Sequence, residues 1–390
     1  METDAARIRD LFATEVHEAA VTKAEQVPPS YGAITLEWLN DVLCRDRGDV
    51  RVTEFSFDER DDGSSNRRRI WLGYNAVGQD ADLPSSVFCK AAESLENRIV
   101  LGVSDTARAE ADFYRLVQPS LSIPTPQARY ARFDPANFAY LIMMDDMAHD
   151  VRFPDERHMI SRDQAEQMVA TLASLHSQFY QSPELGTSAL PFKTWPVWWA
   201  GMMRGSLDFP DFCDMGFECI APRLPAALVS RRADVWPATM ASVARHEHLP
   251  HTLIHSDVHL KNWFIAGDGR MGLHDWQLTT IGHWSRDFAF ALTSALTVDQ
   301  RRNWFEDLLR LYLEEMAASG AGPIDYDDAF RNVREQLMTV FAFWTITMCP
   351  TGDMPAMQPE RTTTEFLIRM GTAIDDYGSI DSLLNSETPA

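Results

Sequence analysis

Hydrophobic and polar positions alternate with two different periods along this chain. In the first part the apolar runs are short and separated by turn residues. Glu54 to Asp58 and Ile70 to Tyr74 read as strands on either side of a turn-rich AspAspGlySerSerAsn stretch at 61 to 66, and Ser86 to Lys90 reads as a third. Phe138 to Met144 is an apolar run fit for a buried strand, closed by Asp145 and Asp146. Helical spacing enters this part twice. The first 46 residues read as helical, with Leu36, Leu39 and Leu43 on one stripe, and residues 104 to 118 read as a helix capped by Ser104 or Asp105, with Ala109, Phe113 and Leu116 on one face.

Beyond residue 148 the period is that of helices throughout. Residues 162 to 180 place Ala165, Met168, Val169, Leu172, Leu175, His176 and Phe179 on one stripe, and further helices are expected over 287 to 298, 303 to 318 and 329 to 348. The pattern predicts an α+β chain in three parts. These are an N-terminal helical segment at 1–46, a strand-rich region at 47–147 and a larger, mostly helical region at 148–390.

Composition narrows the picture. With 390 residues, 45% of them hydrophobic, the chain can bury a substantial core, and no run approaches the roughly 20 apolar residues of a membrane helix. The start METDAARIRD has neither the basic residues nor the apolar stretch of a signal peptide, so a cytoplasmic protein is expected. A net charge of −22 disfavours a nucleic-acid partner, and Arg67, Arg68 and Arg69 form the one basic cluster. The five cysteines, Cys44, Cys89, Cys213, Cys219 and Cys349, lack CxxC pairing and read as buried thiols without a disulfide framework.

The chemistry concentrates in residues 253 to 277, LIHSDVHLKNWFIAGDGRMGLHDWQ. Trp263 to Ala266 and Met271 to Leu273 flank AspGly at 268 and 269, a favoured two-residue hairpin turn. With Gly267 paired to Arg270 across that turn, Asn262 falls opposite Asp275, with Cβ atoms about 4.5 to 5.5 Å apart. An amide oxygen and a carboxylate so placed suit a hard cation such as magnesium, which completes its shell with water and phosphates. Asp257, in the same loop, is placed to accept a proton from a hydroxyl.

The order His255-x-Asp257, four residues, Asn262, then Asp275, resembles the catalytic loop and metal aspartate of aminoglycoside phosphotransferases and choline kinases, relatives of the protein kinases. The wording HSDVHLKNWF, then HDWQ and ArgAspPheAla at 286 to 289, is most similar to the choline/ecdysteroid-kinase-like branch. The resemblance implies a bilobal protein-kinase-like fold, with an antiparallel sheet plus helix in the N-lobe and a larger helical C-lobe. It implies ATP and Mg2+ as cofactors, a hydroxyl of a small molecule as acceptor, Asp257 as base, and Asn262 and Asp275 as metal ligands. It further implies that Lys90 meets the α and β phosphates with Glu110 orienting it. Ser64 and Ser65 would lie in the phosphate-facing turn, and the backbone near Asp145 and Met147 would meet adenine. A full GxGxxG loop is missing before Lys90, and His259 stands where protein kinases carry lysine, so protein phosphorylation is not implied.

Several residues carry a second reading. His255 and His176 are expected to brace the structure, and Asp287 to cap a helix. The tryptophans of TrpProValTrpTrp at 195 to 199, with Phe341 and Trp344, either pack between helices or line an acceptor pocket. Two rival functions remain. One is a metal-dependent hydrolase using His255, Asp257, His259, His274, Asp275 and His283; the other is an ATP-binding pseudokinase. The acceptor and the oligomeric state are left open, with recognition expected from the segments 185 to 245 and 325 to 375.

Overall fold

The computed structural model of this chain describes residues 4–81, 83–204, 208–348 and 358–385. It divides into two compact units, residues 1–121 with 125–150, and residues 122–124 with 151–390. The first is built on one antiparallel sheet and the second is mostly helical, which is the α+β division expected from the two hydrophobic periods.

In the first unit, α1 (Asp4–Thr14) and α2 (Leu36–Leu43) precede the sheet. Residues 15–30, expected to be helical, run irregularly, and a 3₁₀ turn follows at Tyr31–Ala33. The sheet comprises β1 (Val52–Phe57), β2 (Asp61–Asp62), β3 (Asn66–Tyr74), β4 (Ser86–Ala91), β5 (Ala128–Phe133) and β6 (Tyr140–Asp145). Its order is β1-β3-β4-β6-β5, with β2 paired to β3. A short helix, α3 (Ala76–Gln79), lies between β3 and β4. Helix α2 starts where Thr35 accepts from the Trp38 N–H, and Asn40 locks it to β1 by exchanging two hydrogen bonds with Val52. It buries Trp38, Leu39 and Leu43 with Ile70, Val87, Cys89 and Met143, while Leu36, expected inside, is exposed.

The helix expected at 104 to 118 is preceded by another, α4 (Leu95–Val103), whose C-cap is Ser104. Asp105 then turns into the left-handed region at φ 62°, and α5 (Thr106–Asp112) continues through a π turn at Phe113–Val117. Sequence periodicity did not register α4, because its nine residues bury only Arg98 and Leu101.

In the second unit, β7 (Val151–Arg152), β9 (Trp263–Ala266) and β10 (Met271–Leu273) form one small sheet, and β8 (Thr252–Ile254) pairs with β11 (Thr280–Gly282). The helices are α6 (Arg162–Phe179), α7 (Trp195–Arg204), α8 (Phe209–Ile220), α9 (Ala226–Ser230), α10 (Arg232–Arg245), α11 (Ser285–Ala295), α12 (Val298–Ala318), α13 (Tyr326–Thr345), α14 (Glu360–Tyr377) and α15 (Ser379–Leu384). Capping boxes at Ser161/Gln164 and Thr297/Gln300 start α6 and α12. Helix α11 is buried at every position and packs against α6, α13 and α14, so it forms the axis of this unit. None of the described helices is long and apolar enough to cross a membrane.

Cys44, Cys89 and Cys213 are buried thiols. Cys219 departs from expectation. It lies on the outer face of α8, exposed, and is disulfide-bonded. Cys349 lies outside the described residues.

Candidate active site

The first unit holds the residues expected at the nucleotide. Lys90 sits on β4, with Arg67 of β3 beside it on one side and Ile142 of β6 on the other. Its Nζ meets Glu110 Oε1 of α5 at 2.7 Å, and both side chains are buried. The Tyr140 hydroxyl donates to the other Glu110 oxygen at 3.3 Å. Paired burial of this kind fixes a lysine that would otherwise be free to rotate.

The β2–β3 turn carries Ser64, exposed, and Ser65, buried. It is tied down through Asn97, which donates to the main-chain oxygens of Gly63 and Ser64 at 2.7 and 2.8 Å. Asn66 accepts from the Glu93 and Ser94 N–H groups and donates to Asp62 and Asn97. At the far end of β6, Asp145 pairs with Arg129, and its N–H donates to Gln127 O. Asp146 pairs with Arg69 and accepts from the Ser86 hydroxyl, while Met147 is half-buried and its oxygen closes a turn with the Asp150 N–H. The Asp146 anchor was not foreseen from sequence.

The second unit holds the residues expected to form the catalytic loop, and here one expectation is corrected. Met271 faces Ile265 and Leu273 faces Trp263, so the register is one residue away from the expected pairing. The turn has three residues. Ala266 and Arg270 close it, with the Gly269 N–H donating to Ala266 O and Gly269 at φ 87°. Asp268 secures this form by accepting from the Arg270 N–H and pairing with its side chain. Gly267-Asp268-Gly269 supports either turn length, and a one-residue slip exchanges the two faces of a strand. Asn262 therefore lies opposite His274, whose N–H donates to Asn262 O at 2.9 Å, and not opposite Asp275. Asp275 follows with φ 65° and ψ 64°, a left-handed turn that ends the strand direction. Its charge is still felt at Asp257 and His259.

Asp257 and Asn262 are in direct contact. The Asn262 amide donates to Asp257 O at 2.7 Å and to Asp257 Oδ2 at 3.2 Å. That commits the amide nitrogen and leaves the oxygen as the acceptor atom, the one a magnesium ion would use. His255 Nδ1 accepts from the Asp257 N–H at 3.2 Å, which places the imidazole proton on Nε2, and Nε2 donates to His274 O at 3.0 Å. His255 is thus a neutral strut between the two halves of the loop, as expected of it, and burial lowers its pKa.

Burial, and then the neighbouring charge of Asp275, push Asp257 up to about 7. A buried carboxylate raised by the charge of a second carboxylate, beside an amide whose nitrogen is already committed, fits a bound cation. His259 Nε2 is 3.7 Å from Asp257 Oδ2, and burial pulls His259 down to about 3, so it stays neutral.

Asp287 does not cap α11, whose N-cap is Trp284; it holds the loop. It is the third residue of α11, and its carboxylate accepts from the His255 N–H at 2.7 Å, the Ser256 N–H at 3.0 Å and His176 Nε2 at 3.3 Å. Burial would raise it, but these hydrogen bonds and the nearby positive groups hold it below the usual carboxylate range. His176 is braced in turn by the Tyr312 hydroxyl at 2.8 Å, consistent with a structural role. Of the expected hydrolase ligands, His255 and His274 bond to main-chain oxygens and His283 to the Ser285 hydroxyl. Among the described residues no three His, Cys, Asp or Glu side chains converge as metal ligands. Trp195, Trp198, Trp199, Phe341 and Trp344 are all buried, and Trp195 stacks on Trp198 at 5.1 Å.

Comparison with known proteins gives the family. Residues 97–322, more than half of the chain, match the model of the phosphotransferase enzyme family (APH), a span that contains Glu110, Asp257, Asn262 and Asp275. No curated protein matches the chain in sequence. Among solved structures it is similar to choline kinase LicA from Streptococcus pneumoniae, at 12% identity over 83% of this chain and 94% of that one, with a TM-score of 0.44. It is also similar to macrolide 2'-phosphotransferase MphH from Brachybacterium faecium (13%, 88% and 97%, TM-score 0.44) and to an ethanolamine kinase from Plasmodium vivax (10%, 95% and 94%, TM-score 0.43). The chain belongs to the phosphotransferase enzyme family.

Proposed function

We propose that this enzyme transfers the γ-phosphate of ATP to a hydroxyl of a small molecule in the cytoplasm, with Asp257 as the base that receives the hydroxyl proton. The observation that carries this reading is the contact between Asp257 and Asn262, with the charge of Asp275 acting on the same carboxylate. Asn262, through its amide oxygen, and Asp275 hold magnesium. Bound there, the ion neutralises charge on the phosphate oxygens. Lys90, fixed by Glu110, binds the α and β phosphates, and the Ser64–Ser65 turn and the backbone near Asp145 and Met147 complete the nucleotide contacts.

The rest follows from what these side chains can do. Asp257 attracts and orients the acceptor hydroxyl and takes its proton as the phosphoryl group leaves ATP. A carboxylate poised near neutrality suits that task, because a large share of it is ionised near pH 7 yet it is basic enough to hold a proton. The wording of residues 253–289 favours the choline/ecdysteroid-kinase-like branch, whose acceptors are hydroxylated metabolites. The test is a screen of magnesium-ATP consumption against aminoglycosides, choline-like amines, sugars and sterols, with Asp257→Ala as the blank. A phosphorylated product dependent on Asp257 is expected. ATP binding without turnover on any acceptor would overturn the reading in favour of a pseudokinase.

A further inference from the structure

The residue that precedes Asp257 is in a costly conformation. Ser256 has φ 67°, in the left-handed region, where a residue with a Cβ loses about 1 kcal/mol or more. It is held there from three directions. Its N–H donates to Asp287, its hydroxyl bonds the Thr280 hydroxyl at 2.6 Å, and its carbonyl oxygen accepts from Arg286 Nη1. The backbone direction at Ser256 sets where the carboxylate of Asp257 points.

Of those three holders, Arg286 is the most expensive. It is fully buried on α11, among the described residues no carboxylate pairs with it, and its Nε and Nη2 atoms have no hydrogen-bond partner. The adjacent carboxylate of Asp287 is occupied by the loop and His176. A buried guanidinium with no paired carboxylate costs several kcal/mol, of which the charges of Asp287 and Asp257 offset a part. A further part is offset by the indole of Trp195, whose ring centre lies 3.7 Å from the guanidinium carbon, with Phe290 at 5.7 Å. A desolvated cation–π contact contributes about 2 kcal/mol or more. A serine carbonyl alone would be satisfied by any neutral donor, so holding it with a buried cation over an indole calls for a further reason. That reason is rigidity: a planar fork held over an aromatic ring at 3.7 Å has little freedom, and its charge acts on the carboxylate of Asp257.

We propose that Arg286, held over Trp195, is a positioning residue that fixes Ser256 in its left-handed conformation and thereby aims Asp257 at the acceptor. The Trp195 indole is in this view part of the catalytic support, not only helix packing. The inference rests on the reading of Asp257 as the base.

The test uses the full chain and magnesium-ATP, with water as acceptor and phosphate release as the signal, for Arg286→Lys, Trp195→Leu and Trp195→Phe. Lysine keeps the charge but has neither the fork nor the flat face; phenylalanine keeps a flat face, leucine does not. Displacing a catalytic group by about 1 Å costs about 100-fold. Arg286→Lys and Trp195→Leu should therefore lose about 10- to 100-fold in kcat with KM for magnesium-ATP within about twofold, and Trp195→Phe should recover most of the loss. Wild-type kcat in either of the first two variants would overturn the proposal. So would a loss equal in Trp195→Phe and Trp195→Leu, which a purely structural role predicts. If Arg286→Lys does not fold, the two Trp195 variants decide. Absence of wild-type turnover with water and with every acceptor of the screen above would overturn the phosphotransfer reading and this inference with it, whereas wild-type turnover with unaffected variants overturns this inference alone.

Discussion

Replacing Asp257 by asparagine should remove turnover and at the same time stabilise the fold, by an amount that depends on pH. Burial and the charge of Asp275 hold Asp257 up at about 7, against an ordinary value of 3.8 that it regains on unfolding. A carboxyl raised in the folded state contributes stability that is fully present below the unfolded pKa and is lost as pH rises towards the folded one. The loss is about 1.4 kcal/mol per pH unit between roughly pH 4 and 7, so about 4 kcal/mol has gone by pH 8. Asparagine has the shape of the protonated carboxyl and no charge, and so avoids this loss. In magnesium-free buffer the variant should match the wild type at pH 3.5 to 4 and exceed it by up to about 4 kcal/mol at pH 8, in calorimetric or denaturant unfolding. A variant no more stable than the wild type at pH 8, or a gain that does not grow with pH, would show that Asp257 is not held strained in this loop.

Asp275→Asn should weaken magnesium-ATP binding in calorimetric titration, while Asp257→Asn should leave that affinity nearly unchanged and lower turnover about 100-fold or more; the opposite assignment would refute the roles given to the two aspartates. Lys90→Ala should raise KM for ATP and strand Glu110 as a buried carboxylate without its cation, so a stability loss of about 3 kcal/mol is expected beside the kinetic one. Asp287→Ala should leave the His255 and Ser256 N–H groups buried and unsatisfied, costing about 3 to 5 kcal/mol by chemical denaturation. Gly216→Ala should be comparably damaging, because a Cβ there would lie 1.9 Å from the Thr345 carbonyl oxygen, and an undisturbed unfolding midpoint would contradict that close helix contact.

Much of this protein could be read from residue order alone, where the information is local. The strands around Ile70 and Ser86 and the stripe of α6 from residue 162 follow from periodicity, whereas α12 starts at Val298, five residues before the expected 303. The Asp257, Asn262 and Asp275 spacing stands out for the same reason, because one short segment carries it. What failed locally did so where two solutions are nearly equal in energy. Gly267-Asp268-Gly269 can close a two- or a three-residue turn, and only the packed hairpin selects the longer one and moves Asn262 from Asp275 to His274. Leu36 has the right spacing to be buried, yet Trp38 took that place once α2 was laid against β1.

Tertiary structure alone decided how the loop is held. Asp287 follows His255 by 32 residues and His176 precedes Asp287 by 111, so nothing in either neighbourhood announces that they meet. Nor does the sequence announce that Arg286 will lie on Trp195. The physical reason is that a buried backbone N–H, a buried cation and a left-handed serine each cost free energy that only distant groups can offset, and chain order carries no record of which groups those are until the chain has folded.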